Sequence, residues 1–458
     1  MKQLLSNSFS VEPNTKLGVI GQSKDKIYLE LKGQAMDQVL IFNERLEMES
    51  FFNVNEPHDT NEIISYISAN DTIVSLSKSD LSKSYYIGPL RSDSLNHKQK
   101  QRLFTFDRGI RRWKKNIRWE KSFDRKALLF YVDNRDQNKN YTAYLALKNF
   151  EDGTIVNDSI QTDIKNTDAR IKNVVLGQDH KMYIFIQIRD AEKSTLSAGR
   201  YSYLILIRDL KSKTTKRIKI HNNDIFMGTL AMKLNPHLNK IIVAGFYSDR
   251  SYIESQGIVL CAYDMISLNE DYRVFEPLNV YQLRRLGADN FINENKGAED
   301  LVIKEMFLRS DGGVILMTEK QYSSVVNYTN TSIQMMSYSS NEIIYYHYND
   351  INVISINKDG QLYWNVLINK LQETDIIANT YASFKAGVSD KGVYLLFNKS
   401  LTKSFALQLD HIDVLGKTAK HHIIKDRALL NSFKQINNNQ WLVIIESFGD
   451  YRLLKVKL

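Results

Sequence analysis

One arrangement of polar and hydrophobic positions recurs along the chain. A polar turn containing Asp, Asn, Gly or Lys is followed each time by a run of β-branched, aromatic and aliphatic residues, which is the pattern of a β-strand. The eight instances read SKDKIYLEL, ANDTIVSL, DRKALLFYV, DHKMYIFIQI, HLNKIIVAGF, SDGGVILMTE, SDKGVYLLF and NNNQWLVIIE. Eight copies of one turn-and-strand unit predict an all-β repeat protein.

The spacing of these units is that of the blades of a β-propeller. A short segment precedes each apolar run and further strand-like runs follow it, which predicts four antiparallel strands per repeat. The middle run is the most continuously apolar, as expected for a strand buried on both faces. The separations between successive anchors are 46, 55, 54, 59, 73, 79 and 49 residues. The anchors are Ile27, Ile73, Leu128, Met182, Ile241, Val314, Val393 and Leu442.

The two ends of the chain predict how the ring closes. Only one strand-like run, Tyr451 to Leu458, follows the last anchor, which leaves the final blade one strand short. We expect Asn7 to Pro13 to supply the missing strand and so to hide two sheet edges. The sequence thus predicts a single propeller domain over 1–458 with eight blades, or with seven if Lys78 to Phe123 is not a full blade boundary.

The two longest separations locate insertions near 277–296 and 322–340. In the first, Val280, Leu283 and Leu286 fall on one helical face, which predicts a short helix. The second is rich in Ser, Thr, Asn and Tyr and predicts an extended hairpin or loop. Both insertions are candidate contact surfaces.

Aromatic residues crowd the stretch EIIYYHYNDINVISINKDGQLYWNVLINK, residues 342–370. Strand alternation places successive rings on opposite faces, and Asn357 to Gly360 predicts a hairpin turn. We expect most of these rings to pack between blades and a minority to project from the insertion, where exposed tyrosines suit protein or sugar binding. The candidate binding residues in this region are Tyr322, Tyr328, Tyr338 and His347.

Positive charge is concentrated in one segment. Between Lys98 and Lys126 there are twelve Lys or Arg and three Asp or Glu, and the difference, 12 − 3 = +9, equals the formal charge of the whole chain. Cations beside rings bind phosphates, acidic glycans or anionic surfaces. A solvated strand and loop is the alternative interpretation. The candidate polyanion-binding residues are Arg111, Arg112, Trp113, Lys114, Lys115 and Arg118.

Linear signatures of catalysis and metal binding are absent from the sequence. It contains no G-x-S-x-G, G-x-G-x-x-G, H-E-x-x-H or C-x-x-C motif, so we predict no metal site and no cofactor. The single cysteine, Cys261, lies in an apolar run and is predicted to be a core thiol. No apolar run reaches the roughly 20 residues of a transmembrane helix, and no secretory signal is visible.

Three segments carry a resemblance to a known group of proteins. LRSDGGVILMTEKQY, then YYHYNDINVISINKDGQLYWNVLINKLQ, then YASFKAGVSDKGVYLLFN resemble uncharacterised exported β-propeller proteins of Bacteroidota. The match covers residues 308–398, about a fifth of the chain. The resemblance implies a propeller of the cell envelope without established catalysis, and hence a periplasmic or outer-membrane-associated location, although a cytoplasmic one stays open.

Three functions follow from these features. The first is a non-enzymatic binding or scaffolding propeller of the cell envelope, which contacts an envelope or secretion-associated protein, or a glycan, through the two insertions. The second is a glycan-active hydrolase or lyase whose carboxylates gather at the central channel, because propellers assemble sites from separate blades without a linear motif. The third is polyanion binding through 98–126.

Overall fold

A computed structural model describes most of the 458-residue chain. The residues it describes are 2–11, 15–33, 37–54, 61–70, 72–79, 82, 84–90, 100–105, 117–133, 139–165, 168–190, 200–220, 225–251, 253–287, 296–332, 337–375, 381–401, 407–422, 429–437, 439–447 and 449–458.

The first half of the described chain is entirely strand and turn, as the alternating polar turns and apolar runs predict. Its strands are β1 (Lys2–Leu5), β2 (Phe9–Ser10), β3 (Lys16–Ser23), β4 (Lys26–Lys32), β5 (Asp37–Phe42), β6 (Met48–Asn53), β7 (Asn61–Ala69), β8 (Thr72–Ser79), β9 (Ser84–Pro89), β10 (Gln101–Thr105), β11 (Arg118–Lys121), β12 (Ala127–Asp133), β13 (Asn140–Asn149), β14 (Ile155–Lys165), β15 (Ala169–Leu176), β16 (Lys181–Asp190), β17 (Arg200–Asp209) and β18 (Thr215–Ile220).

The second half adds one short helix to the same pattern. Its elements are β19 (Phe226–Asn235), β20 (Lys240–Ser248), β21 (Gly257–Asp264), β22 (Glu270–Pro277), α1 (Val280–Arg285), β23 (Leu301–Leu308), β24 (Val314–Ser332), β25 (Ser337–Ile356), β26 (Leu362–Ile368), β27 (Glu373–Thr374), β28 (Phe384–Ser389), β29 (Gly392–Asn398), β30 (Leu407–Asp413), β31 (Thr418–His422), β32 (Leu429–Asn437), β33 (Gln440–Ser447) and β34 (Asp450–Lys457).

These strands form eight antiparallel sheets, which are the blades of a propeller. Blades 1 to 7 each take four consecutive strands, beginning with β3, β7, β11, β15, β19, β23 and β28, and blade 8 contains β32, β33, β34 and β1. First strands contact one another at several junctions between blades, including β3 with β7, β3 with β32 and β19 with β23, so these strands line the central channel. The prediction of eight blades is confirmed, and β9, β10 and β11 show that the region from 78 to 123 contains a blade boundary.

The second strand of each blade forms the core, as its apolar sequence predicted. All eight anchor residues, from Ile27 to Leu442, lie in second strands and are buried. The cores run between adjacent blades: one joins blades 4 and 5 through Phe185, Ile205 and Val243. Cys261 belongs to this cluster, and burial raises the pKa of its thiol to about 12, so the predicted core thiol is confirmed.

An N-terminal strand completes the last blade, as predicted, but its position differs from the expected one. β1 pairs along the edge of β34 from Lys2↔Lys457 to Leu5↔Leu454. In the described part of the predicted segment, residues 7–11, the paired strand is β2, with Phe9 opposite Tyr451. The strand-forming residues therefore lie mainly before Asn7, because KQLL supplies the regular backbone that covers the edge of β34.

Blade connectivity defines two sides of the ring. Turns between first and second strands, and between third and fourth, lie on one side, here named the turn face. Connections between second and third strands, and between successive blades, lie on the other, here named the ribbon face. Both predicted insertions emerge on the ribbon face, since α1 connects blades 5 and 6 and the second insertion connects β24 to β25.

The helix predicted in the first insertion is present as α1. Asn279 caps it, because its side chain accepts from the Gln282 backbone N–H while the Gln282 side chain accepts from the Asn279 N–H. Leu283 and Leu286 are buried against blades 5 and 6. Val280, the third residue of the predicted helical face, is 42% exposed. A six-residue helix offers a buried stripe of barely two positions.

Candidate functional site

The second insertion is a two-stranded ribbon that continues β24 and β25 beyond blade 6. The pairing with β23 ends at Lys320, whereas β24 and β25 stay in register from Gln321↔Tyr348 to Ser332↔Ser337. Residues 321–332 and 337–348 are hereafter the ribbon. The predicted extended hairpin is confirmed. An isolated pair of strands is marginally stable in water, so contacts at its base matter.

The ribbon is rich in tyrosine, serine and asparagine and poor in charged residues. Its 24 residues include six tyrosines, six serines and three asparagines, and Glu342 is the one acidic or basic residue apart from His347. Tyr gives a large contact area at small entropic cost, and Ser and Asn give adaptable hydrogen bonds. Val325 is 56% and Ile344 44% exposed, and the two lie directly opposite each other. The ribbon therefore presents apolar and aromatic groups with almost no charge.

Two of the predicted binding residues form a pair at the base of the ribbon. Tyr322 and His347 are cross-strand partners whose rings stack with centroids 4.4 Å apart and planes inclined by 10°. His347 Nε2 lies 2.8 Å from Ser324 Oγ, and its Nδ1 lies 3.5 Å from Glu373 Oε2. Because β27 pairs with β25 at this level, the His347 ring is enclosed from two sides while Tyr322 keeps an exposed edge.

A buried ion pair fixes the point where the ribbon leaves blade 6. Lys370 Nζ lies 2.8 Å from Glu319 Oε1, and both side chains have no exposed surface. Ser383 Oγ donates to Glu319 Oε2 at 2.7 Å, and Lys370 Nζ donates to Gln372 Oε1 at 3.0 Å. Burial lowers the pKa of Lys370, and Glu319 opposes that shift. This network joins blade 6 to blade 7 beneath the ribbon.

The structure describes the backbone but not the side chains of two other predicted binding residues, and it does not describe five more. Tyr328 and Tyr338 lie in the strands of the ribbon, but their side chains are outside the described part. Of the predicted basic site, Arg111, Arg112, Trp113, Lys114 and Lys115 lie outside the described residues.

Arg118 is the candidate polyanion-binding residue that lies in the described part of the chain. Its Nη2 lies 2.5 Å from Asp133 Oδ2, and its guanidinium carbon is 4.9 Å from the centre of the Tyr131 ring. Asp133 is buried, so this pair is part of blade 3 and its charge is internally compensated. Arg118 is therefore a weaker candidate for anion binding than its sequence context indicates.

The aromatic stretch is distributed differently from the sequence prediction. Tyr345, Tyr346 and Tyr348 are half-buried on the ribbon and Tyr363 is exposed, so the expectation that most rings pack between blades is wrong. Trp364 does pack against the core between blades 6 and 7. Side chains do alternate between the two faces of β25, but this alternation cannot show where β25 extends beyond blade 6 into the ribbon. The predicted turn is confirmed, with Gly360 at φ +83°.

A cavity of about 420 Å³ opens on the turn face between blades 6 and 7. Its walls include Arg309, Trp364 and Asp413. Arg309 pairs with Asp311 at 3.0 Å and its Nη1 donates to Ser355 Oγ at 2.5 Å, while Trp364 Nε1 donates to the Val414 carbonyl at 3.1 Å. Arg309 and Trp364 are thus already engaged in contacts within the protein.

The central channel carries charged residues that sequence reasoning did not single out. Glu120 lies on the first strand of blade 3 and faces Lys233 of blade 5, and burial raises its pKa to about 7. Glu305 of blade 6 faces Lys233 and Lys385, and its pKa is also raised, chiefly by burial. The sequence contains a pattern that could have indicated the channel lysines, because in six repeats a lysine stands seven to ten residues before the anchor.

Fold and strand order define this chain as an eight-bladed β-propeller closed by its N-terminal strand. No protein-family model matches it, and neither does any curated protein sequence. In the described residues, no helix is long and apolar enough to cross a membrane.

Solved structures are similar to the chain over most of its length. One is dihydro-heme d1 dehydrogenase NirN in complex with DHE, at 12% identity and a TM-score of 0.43, covering 99% of this chain and 78% of that one. Another is the AfRom2 CNH domain, at 10% identity and 0.43, covering 100% and 99%. A third is the WD40 domain of SCAP from fission yeast, at 7% identity and 0.43, covering 99% and 96%.

Proposed function

We propose that this propeller is a non-enzymatic binding and scaffolding protein of the cell envelope that contacts a protein partner through the ribbon. The observation that carries the proposal is a ribbon rich in tyrosine and serine and nearly free of charge, with Val325 and Ile344 exposed side by side. Such a surface resembles the contact regions of binding proteins more than a solvated loop. A glycan is the other ligand that exposed tyrosines suit.

The base of the ribbon supports this proposal. The buried pair of Glu319 and Lys370 and the stack of Tyr322 on His347 both hold the ribbon against the ring. A surface that is ordered before it binds loses less entropy on association. The envelope location rests on the resemblance of residues 308–398 to exported propellers.

The experiment compares partner recovery by the intact protein and by a variant with a shortened ribbon. Replacing residues 325–344 with Asn-Gly leaves Ser324 opposite Tyr345 across a two-residue turn, so the register, Tyr322 and His347 are retained. Tagged proteins are purified from an envelope fraction, and co-purifying proteins are identified by mass spectrometry. We expect a stoichiometric partner with the intact protein and its loss with the shortened one.

A matched control changes exposed apolar residues on the turn face. Val414 and Leu415 are exposed in the turn between β30 and β31, and replacing both with Ser removes exposed apolar side chains from the opposite side of the ring. This control is expected to recover the partner. Equal recovery by the shortened ribbon would refute the ribbon as the contact surface. Recovery of glycan in place of protein would assign the surface to sugar binding.

A second candidate is the glycan-active enzyme, and one observation favours it. The pKa of Glu120 is raised to about 7 by burial, which suits a general acid, and Glu305 faces the same lysine, Lys233. Polysaccharides of defined linkage are incubated with the protein and with Glu120→Gln and Glu305→Gln. Turnover that both substitutions abolish supports the enzyme; the absence of turnover by the unmodified protein refutes it for those substrates.

A further inference from the structure

A lysine occupies the channel-lining strand of each of six consecutive blades, 3 to 8. The six are Lys121, Lys172, Lys233, Lys304, Lys385 and Lys434. Four of them are exposed and two are half-buried, while other residues of the same strands are buried in the cores between blades. The ammonium groups therefore lie around one axis and not on the outer surface of the ring.

Interactions between blades that are not neighbours place three of these lysines, Lys121, Lys233 and Lys434, in the channel. Arg125, in the turn after β11 of blade 3, donates to the Ile436 carbonyl of blade 8 at 3.4 Å. Lys121 of blade 3 also faces Lys434 of blade 8, and Glu120 faces Lys233 of blade 5. Blades 1 and 2 separate blade 3 from blade 8, so these contacts span the channel.

Two of the lysines are tied to backbone and four are not. Lys121 Nζ donates to the Ser68 carbonyl and Lys434 Nζ to the Ile20 carbonyl, in blades 2 and 1. Within the described ranges, the other four ammonium groups have no hydrogen bond and no carboxylate within 4.0 Å. These four are Lys172, Lys233, Lys304 and Lys385.

The acidic groups nearby do not balance the lysines. The first strands of the eight blades contain nine Lys or Arg and three Glu, and one of these cations, Arg118, is already paired with Asp133. Glu120 and Glu305 face this set, Glu30 faces Lys434 and Glu319 lies towards Lys385. Arg170 lies beside Lys172 and adds positive charge. Burial, reinforced by neighbouring cations, lowers the pKa of Lys121 to about 8, as expected where like charges are held together.

We propose that the central channel binds a compact multivalent anion of the oligophosphate class through the lysines of blades 4 to 7. Lysine acts as a point charge towards phosphate, and several such charges converging in a channel with protein walls focus the positive potential. The lysines span six of the eight blades around one axis. A small anion in the channel meets several of them at once, whereas a surface-bound polymer meets one side of the ring.

Titration calorimetry with tripolyphosphate at low ionic strength tests this proposal. The channel variant is Lys172→Gln, Lys233→Gln and Lys304→Gln combined, which keeps most of each side chain's length while removing three charges. Its matched control is Lys211→Gln, Lys216→Gln and Lys219→Gln combined, three exposed residues on or beside the outer strand of blade 4. We expect the channel variant to bind at least about tenfold more weakly and the control to bind within about twofold of the unmodified protein.

Competition experiments distinguish specific binding of oligophosphates from general attraction of anions to positive charge. Citrate and sulfate are expected to displace tripolyphosphate only weakly, and about 0.5 M salt is expected to abolish binding because the lysines are exposed to solvent ions. Circular dichroism confirms that each variant is folded.

Three outcomes overturn the proposal. The first is no saturable binding of tripolyphosphate to the unmodified protein. The second is an equal loss in the channel variant and in its outer-strand control, which would show attraction by net charge alone. The third is binding that survives in the channel variant but is lost when Arg111, Arg112, Lys114 and Lys115 are replaced with Gln, which would place anion binding at the basic segment.

Discussion

Lys370 Nζ lies 2.8 Å from Glu319 Oε1, and neither side chain has any exposed surface. The pair stands where β24 ends its pairing with β23 and continues as the ribbon. A buried charge without its partner is costly, so this contact ties the geometry of the ribbon to the junction of blades 6 and 7.

Replacing Lys370 with Met leaves the Glu319 carboxylate buried without its ion pair. We expect the free energy of unfolding to fall by about 3–5 kcal/mol, measured by urea denaturation. The control is Glu151→Gln, which removes the exposed pair of Lys126 and Glu151, 2.6 Å apart, and is expected to change the free energy of unfolding far less. Similar effects of the two substitutions would contradict a structural role for the buried pair.

Removing residues 1–6 strips β1 from the edge of β34. The four residue pairs of β1 and the hydrogen bond from the Leu453 N–H to Ser6 Oγ are lost, and we expect the free energy of unfolding to fall by about 2–4 kcal/mol. The exposed edge should also promote association in light scattering. Leu4→Thr with Leu5→Thr keeps the backbone pairing and serves as the control. An unchanged stability after truncation would show that β1 does not close blade 8.

The Tyr322 and His347 stack is expected to stabilise the ribbon locally. A cross-strand aromatic pair contributes about 0.2–1 kcal/mol, so Tyr322→Ser should speed amide exchange at residues 321–326 and 343–348 by up to about fivefold. The thermal midpoint of the whole protein should not move. Tyr322→Phe retains the ring and should exchange like the unmodified protein; faster exchange in that variant would assign the effect to the hydroxyl bond with Asn349.

The raised pKa of Glu120 predicts that the difference in stability between the unmodified protein and the Glu120→Gln variant depends on pH. Its pKa is about 7 in the folded state, mainly because of burial, and near 4.5 in the unfolded chain. Between these values the folded state holds a proton that the unfolded state has released, so this group makes stability fall as pH rises from about 4.5 to about 7. Glu120→Gln removes that slope.

We therefore expect Glu120→Gln to be more stable than the unmodified protein by about 1–3 kcal/mol at pH 8 and nearly equal to it at pH 4.5. Urea denaturation at the two pH values measures the difference. Glu151→Gln, an exposed substitution on the same blade, is expected to give curves parallel to those of the unmodified protein. A constant difference between Glu120→Gln and the unmodified protein at both pH values would contradict the prediction.

The repeat pattern predicted the blades because the signal is local. Met182 and Val393 head apolar runs bounded by polar turns, and each proved to be a buried residue of a second strand. The helix in the first insertion was predicted from three spaced residues, two of which are buried. The local pattern did not predict burial correctly where burial depends on a neighbouring strand. The pairing of β26 with β25 begins only at Ile351, and nothing in the residues around Tyr345 and Tyr346 indicates this.

The sequence by itself determined the all-β class, the eight repeats, the closing of the ring by the N-terminal end and the place of both insertions. These follow from alternation, turn residues and spacing, which act over a few residues. Only the tertiary structure decided that Glu319 meets Lys370, and that lysines from Lys121 to Lys434, spread over six repeats, line one channel. Such contacts join residues far apart in the chain, and closing the ring is what brings them together.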